Sequence, residues 1–254
     1  MPDFYSLRIL LLVFIFTLTG FSQLRQDVGD DGYVDWKEAT IRMVAKGKPD
    51  PGMTPGEFID RSKEQALANA EAKVRRIIAE IPLNGERTLK SLLDNETFES
   101  NLTSFKILDI HYGAGRDGVQ LDLELPLETL YDAIREIRKP RPIRGDSVRT
   151  NPADLIDTLW IDCRSVEMKP AMMPRILDEA GETLFIAGQF GDSWPIIYMP
   201  YQETSDENAA LLTVNELSGS YESDLKLDTA SAEFIRSALE KNNIVNTLQV
   251  IILL

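Results

Sequence analysis

An acidic stretch of twelve residues, 27–38, has the residue types and much of the spacing of a calcium-binding loop. Four carboxylates fall at the first, fifth, ninth and twelfth places, where such loops supply oxygen ligands, and Gly32 takes the sixth. These candidate calcium ligands are Asp27, Asp31, Asp35 and Glu38. The third place is Gly29 instead of Asp or Asn, and no second loop follows to pair with the first. Two interpretations stay open, a calcium loop and a polar segment that enters a strand, and the spacing favours the second.

The chain has one histidine, His111, and one cysteine, Cys163. A zinc site needs several such ligands, and a nucleophile paired with histidine would have a single candidate base. His111 alternates with apolar neighbours and is predicted to lie on the polar face of a strand, while Cys163 is predicted to be a small strand residue. Because no phosphate-binding loop, nucleophile elbow or dinucleotide-binding glycine pattern occurs, we predict no catalytic residues and a protein that is not an enzyme.

Net charge is −14, with 41 acidic and 27 basic residues. Such a surface repels phosphate backbones, so nucleic acid is not expected as a partner. The stretch 135–149 is the exception, since six basic residues there meet two acids. It is interpreted as a solvated connector or as a docking strip for an acidic partner, and the first is favoured. The candidate partner-binding residues are Arg138, Lys139, Arg141 and Arg144.

The first 22 residues have the pattern of a cleavable signal peptide. Arg8 precedes the apolar run 9–18, and Gly20 and Ser22 are the small residues required before a cleavage site. The run is too short to span a bilayer, which takes about 20 apolar residues. We therefore predict a periplasmic protein with no transmembrane span in the mature chain.

Hydrophobic spacing predicts an α+β fold with a strand–helix–hairpin–helix domain over 23–138, a basic linker containing proline over 139–152, and a β-rich domain over 153–254 that ends in a helix and a strand. Within the first domain, 23–32 is polar and is expected to lack regular structure. Thr54, Pro55 and Glu57 have the spacing of a capping box, so a helix should begin there and end before Pro82. The runs 102–112 and 119–125 predict a hairpin with one wet face.

In the second domain, five short runs are predicted to be strands and one segment a helix. The strands are expected at 154–163, 171–177, 183–187, 196–198 and 250–254. The helix is expected at 228–241, where small residues follow Asp228.

Three segments resemble a family of exported bacterial proteins. They are Val34-Asp-Trp36 with the following alanine-rich helix, Leu159-Trp-Ile-Asp-Cys-Arg164 with the Lys169-Pro-Ala segment and the Leu177-Asp-Glu-Ala-Gly181 turn, and the ending 224–254. Together they are similar to the flagellar assembly protein T type and related small surface lipoproteins. The resemblance implies an envelope protein that acts by binding and assembly, and it supplies no catalytic residues.

These observations predict a non-enzymatic periplasmic structural or assembly protein that works through protein–protein contacts and is associated with the flagellum. Its expected partners are other envelope or flagellar proteins, and no cofactor is expected. The alternative is an envelope protein that binds calcium or a small ligand.

Overall fold

Two β-sheets from separate stretches of the chain organise the computed structural model, which describes residues 24–48, 52, 54–114, 117–138, 156–188, 196–200, 210–240 and 244–254. Strands and helices both contribute extensively, so the predicted α+β class is confirmed. The predicted signal peptide 1–22 and the predicted linker 139–152 lie outside the described residues.

The N-terminal sheet is antiparallel, with strand order β1-β2-β3-β5-β4. Its strands are β1 (Arg25–Val28), β2 (Gly32–Asp35), β3 (Thr40–Gly47), β4 (Lys106–Tyr112) and β5 (Val119–Pro126). The expectation of an irregular segment over 23–32 was wrong, because pairing with β2 satisfies the backbone groups of β1 in a tight hairpin. The hairpin of β4 and β5 has one polar face, as predicted.

Helix α1 (Pro55–Glu80) begins where the capping box predicted. Glu57 Oε2 accepts hydrogen bonds from Thr54 N at 3.1 Å and Thr54 Oγ1 at 2.6 Å. The predicted apolar stripe is the face that covers β3 and β5. Its buried residues are Phe58, Ser62, Ala66, Ala70, Val74, Ile77 and Ile78. The helix and β3 approach closely where these small residues lie, since a Cβ on Gly47 would overlap the Ser62 carbonyl oxygen.

Two helices complete the N-terminal part. A short helix, α2 (Glu96–Ser100), begins at Asn95, whose side chain accepts from the amides of Thr97 and Phe98. Helix α3 (Leu127–Arg138) follows β5 directly, where helical spacing was predicted. The apolar side chains of both helices join the core beneath the sheet.

The C-terminal sheet has the strand order β8-β7-β11-β10-β6-β12-β9. Its strands are β6 (Ile156–Asp162), β7 (Arg175–Leu177), β8 (Thr183–Ile186), β9 (Ile196–Met199), β10 (Ala210–Ser218), β11 (Asp224–Leu227) and β12 (Ile244–Leu253), and helix α4 (Thr229–Glu240) precedes β12. The four strands β10, β6, β12 and β9 run parallel. The β-rich character and the final helix and strand are confirmed, while β10 and β11 were not predicted.

The segment 82–87, which follows α1, joins the two halves through backbone hydrogen bonds. Met172 N donates to the Pro82 carbonyl oxygen at 2.9 Å, and Met173 N donates to the Leu83 carbonyl oxygen at 2.8 Å. From a different loop, Tyr221 N donates to the Gly85 carbonyl oxygen at 3.0 Å. The segment is therefore held from two sides by the second half of the chain, and we call 82–87 the junction loop.

An ion cluster around the buried Asp224 and one aromatic contact reinforce this junction. Asp224 is fully buried and accepts from Arg175 N at 2.8 Å, while Arg175 Nη2 lies 2.6 Å from Asp224 Oδ2 and 2.9 Å from Glu86 Oε1. The rings of Trp36 and Tyr198 meet edge to face at 5.4 Å. The buried apolar side chains of both halves form one continuous cluster, so the two sheets share a core.

Candidate interaction surface

Strand β4 is the last strand of the N-terminal sheet and pairs with β5 alone among the described strands. Three large apolar side chains on it are exposed to solvent: Ile107 at 46%, Leu108 at 42% and Tyr112 at 57%. The register shifts between Ile107 and Asp109, so Leu108 is the extra residue of a bulge. The outer edge of β4 therefore offers unpaired backbone groups beside exposed apolar side chains.

The sequence contains a local signal for this surface. Strict alternation with Asp109 and His111 would place a polar residue at 107, whereas Ile107 directly precedes Leu108. Two adjacent apolar residues in an otherwise alternating strand indicate a bulge or an additional exposed contact.

His111 is a residue of β4 and lies on the polar face, as predicted. Its Nε2 is 3.2 Å from Asp122 Oδ2 and 3.4 Å from Asp109 Oδ2. Gln120 Nε2 donates to Asp122 Oδ1 at 3.2 Å, so this carboxylate is shared. The histidine thus belongs to an exposed polar cluster on the sheet.

Cys163 directly follows β6 in the C-terminal sheet and is fully buried. Burial raises the pKa of its thiol, and the neighbouring Asp162 carboxylate raises it further. Since the thiolate is the nucleophilic form, this cysteine is unreactive at neutral pH.

The four acidic residues of the predicted calcium loop belong to the first hairpin and the turn after it, and they have separate partners. Asp27 Oδ1 accepts from Arg25 Nε at 2.9 Å, and Asp35 Oδ1 accepts from the Glu38 amide at 3.0 Å. Asp31 is held by both Arg76 Nε and Arg76 Nη2, at 2.6 and 2.7 Å. These hydrogen bonds lower the pKa of Asp31.

Within the described part of the chain, no group of three or more His, Cys, Asp or Glu side chains could hold a metal ion. Arg25 and Arg76 neutralise two of the proposed ligands, and β1 and β2 place Asp27 and Asp35 on different strands. Calcium binding stays a prediction that this geometry does not favour.

Of the four residues of the predicted docking strip, Arg138 lies within the described part of the chain. Arg138 is the exposed last residue of α3, and partial desolvation together with the nearby Arg87 guanidinium lowers its pKa. Lys139, Arg141 and Arg144 lie outside the described residues, so the role proposed for this strip stays a prediction.

The protein is thus of the α+β class, with two sheets that share a core and with β4 as an exposed edge strand. Residues 158–254, which include most of the C-terminal sheet, match the family model described as the second domain of Treponema pallidum Tp0624. No curated protein matches the chain. Within the described residues, no helix combines the length and apolar character needed to cross a bilayer. The resemblance to flagellar assembly protein T stays a prediction.

Proposed function

We propose that this chain is a non-enzymatic assembly protein of the bacterial periplasm that binds another protein through strand β4. The observation that carries the proposal is the outer edge of β4, where Ile107, Leu108 and Tyr112 are all exposed. An edge strand exposes unpaired N–H and C=O groups, and a second polypeptide can add to them as a further strand. The partner we infer is an extended segment with apolar side chains at alternate positions.

The opposite edge of the same sheet supports this choice. Strand β1 has four residues, and its Arg25 and Asp27 form an exposed ion pair. Short length and charge are the usual means by which proteins prevent pairing at a sheet edge. Strand β4 has seven residues and three exposed large apolar side chains, so one edge is protected and the other is suited to pairing.

The cellular part of the proposal depends on the sequence. The apolar run 9–18 followed by small residues supports export, and the three segments similar to flagellar assembly protein T support a flagellar partner. Both belong to the proposal, and the same purification can test them.

The test is recovery of partners from a bacterial envelope fraction with the purified chain as bait. Leu108→Lys and Tyr112→Lys place charge on β4 at exposed positions, so folding should persist while the specific partner is lost by about tenfold or more. Ile59→Lys, at the 38% exposed Ile59 of α1, is the matched control and should recover the partner like the unchanged chain.

The identity of the recovered protein decides between versions of the proposal. Filament or basal-body proteins that depend on β4 would support the flagellar version, and other envelope proteins would support assembly elsewhere. Equal recovery by all three variants and the unchanged chain would refute a role for β4. A monomer that recovers no protein and retains a bound ion or metabolite would favour the ligand-binding alternative.

A further inference from the structure

Among the described strands, the second half of β3 has a neighbour on one side only. Strand β5 pairs with β3 along its whole length, from Thr40 to Gly47. On the other side, β2 pairs only with Thr40, Ile41 and Arg42. Among the described residues, no strand pairs with the second half of β3 along this side, which we call the open β3 edge.

Side chains of α1 form hydrogen bonds with some of the backbone groups along the open β3 edge. Asn69 Nδ2 donates to the Lys46 carbonyl oxygen at 2.8 Å, and Gln65 Oε1 accepts from Lys48 N at 2.6 Å. Because alternate residues of a strand direct their backbone groups to the same side, Val44 N–H and C=O face this edge as well. Val44 is 42% exposed. The edge therefore offers hydrogen-bonding groups over a stretch about three residues long.

The open β3 edge forms the floor of a groove with a positive balance of charge. The cavity has a volume of about 560 Å³ and lies between β3, α1 and the tip of the first hairpin. Its charged lining residues are Lys46, Lys73, Arg76 and Asp30. Arg76 pairs with Asp31, whereas Lys73 Nζ donates to the Asp30 carbonyl oxygen at 2.9 Å and not to a carboxylate.

Lys46 has no carboxylate partner within the described part of the chain. Neither Lys46 nor Lys73 therefore forms a direct ion pair among the described residues, and the three cations of the groove outnumber its Asp30 carboxylate in a protein whose net charge is −14. A local positive balance favours an acidic segment as the occupant, whereas the like net charge of −14 on two copies of the chain disfavours self-association.

We propose that this groove binds an extended acidic segment of a partner protein, which adds as a strand along the open β3 edge and places carboxylates beside Lys46 and Lys73. Backbone hydrogen bonds to Val44 provide affinity, and the two lysines select carboxylates at alternate positions of the segment. The open β3 edge faces away from β4 within the sheet. The proposal for this groove can therefore be tested independently of the function proposed above.

The probe is a fluorescein-labelled eight-residue peptide in which glutamate alternates with threonine or valine, titrated into the purified chain and followed by fluorescence anisotropy. A peptide with lysine in place of glutamate is the charge control. Lys46→Glu combined with Lys73→Glu should weaken binding by about tenfold or more, because attraction becomes repulsion. Lys37→Glu, an exposed position in the turn between β2 and β3, has the same charge change and should leave binding unaltered.

Residue-resolved hydrogen exchange distinguishes addition of the peptide as a strand from binding through charge alone. Peptide addition should slow exchange of the Val44 and Lys46 amides, while the Met43 and Ala45 amides, which face β5, are slow from the start. Protection of Val44 before any peptide is added would overturn the proposal, because another part of the chain would then occupy the edge. The absence of binding, equal binding of the lysine peptide, or binding without protection of Val44 would each overturn it as well.

Discussion

Replacing Gly85 with alanine should weaken the packing between the two halves of the molecule and so lower the free energy of unfolding. A Cβ at this position would overlap Asp224 Oδ2 and the Ser218 carbonyl oxygen. The opposing Gly219 is packed equally tightly, since a Cβ added to it would overlap the Gly85 carbonyl oxygen. The added methyl group therefore has to displace either the junction loop or the buried carboxylate of Asp224.

The expected cost follows from these two possibilities. Overpacking a well-packed site costs about 1–3 kcal/mol. Displacing Asp224 also weakens its pairing with Arg175, and breaking a buried ion pair completely costs about 3–5 kcal/mol. We expect a loss of about 3 kcal/mol for Gly85→Ala, which corresponds to a fall in Tm of roughly 6–12 °C for a chain of this size.

The assay is urea unfolding followed by tryptophan fluorescence and by circular dichroism. Trp36 reports on the junction because its ring packs against Tyr198. The unchanged chain should show coincident transitions, since the two sheets share a core, and Gly85→Ala should unfold earlier or in two steps. Gly56→Ala is the control, because no atom lies within 4 Å of the added Cβ. An unfolding midpoint for Gly85→Ala equal to that of the unchanged chain would refute the reasoning.

Two further predictions concern the core and the acid response. Ile77 is fully buried under the N-terminal sheet, so Ile77→Ala should lower the free energy of unfolding by about 2–5 kcal/mol, and unchanged thermal melting would show that the α1 stripe is misassigned. Hydrogen bonds from Arg164 lower the pKa of Asp162 below its ordinary 3.8, so this carboxylate stabilises the fold above that pH and ceases to do so as pH falls through its folded pKa. Asp162→Asn should therefore destabilise the chain by about 1 kcal/mol at neutral pH and by progressively less in acid. A deficit that stays constant down to the acid transition would contradict the role given to Arg164.

The parts of the fold that depend on local signals were predictable. Helix α1 begins at its capping box and buries its stripe because both signals lie within a few residues of each other. The hairpin of β4 and β5 follows in the same way from alternation around a glycine-rich turn. Amino-acid spacing determines such elements before any long-range contact forms.

The parts that depend on distant pairing were not predictable. Strand β10 begins with adjacent apolar residues, and a register shift between Val214 and Glu216 interrupts its ladder with β11. Its parallel partner β6 lies some 50 residues earlier in the chain, so no local pattern indicates the pairing. Gly85 likewise resembles an ordinary residue after a helix, and its close approach to Asp224 follows only from the packing of the two halves.

The candidate surfaces likewise depend partly on local signals and partly on distant packing. The exposed residues of β4 were assigned to a strand, yet exposure of Ile107 depends on how far α1 extends across the sheet. The open β3 edge results from the shortness of β2, which begins only at Gly32, after the turn that joins β1 to β2. The pairing of Asp31 with Arg76, 45 residues away, could not be inferred from the acidic spacing alone.

The position of β12 inside its sheet affects how the protein is made. Strand β12 lies between β6 and β9, although both of these are synthesised before it. Until residues 244–253 leave the ribosome, β6 and β9 have no common neighbour and each has an open edge. The nascent chain is most exposed to misassociation in that interval, and a holding factor that shields strand edges would be of greatest use during it.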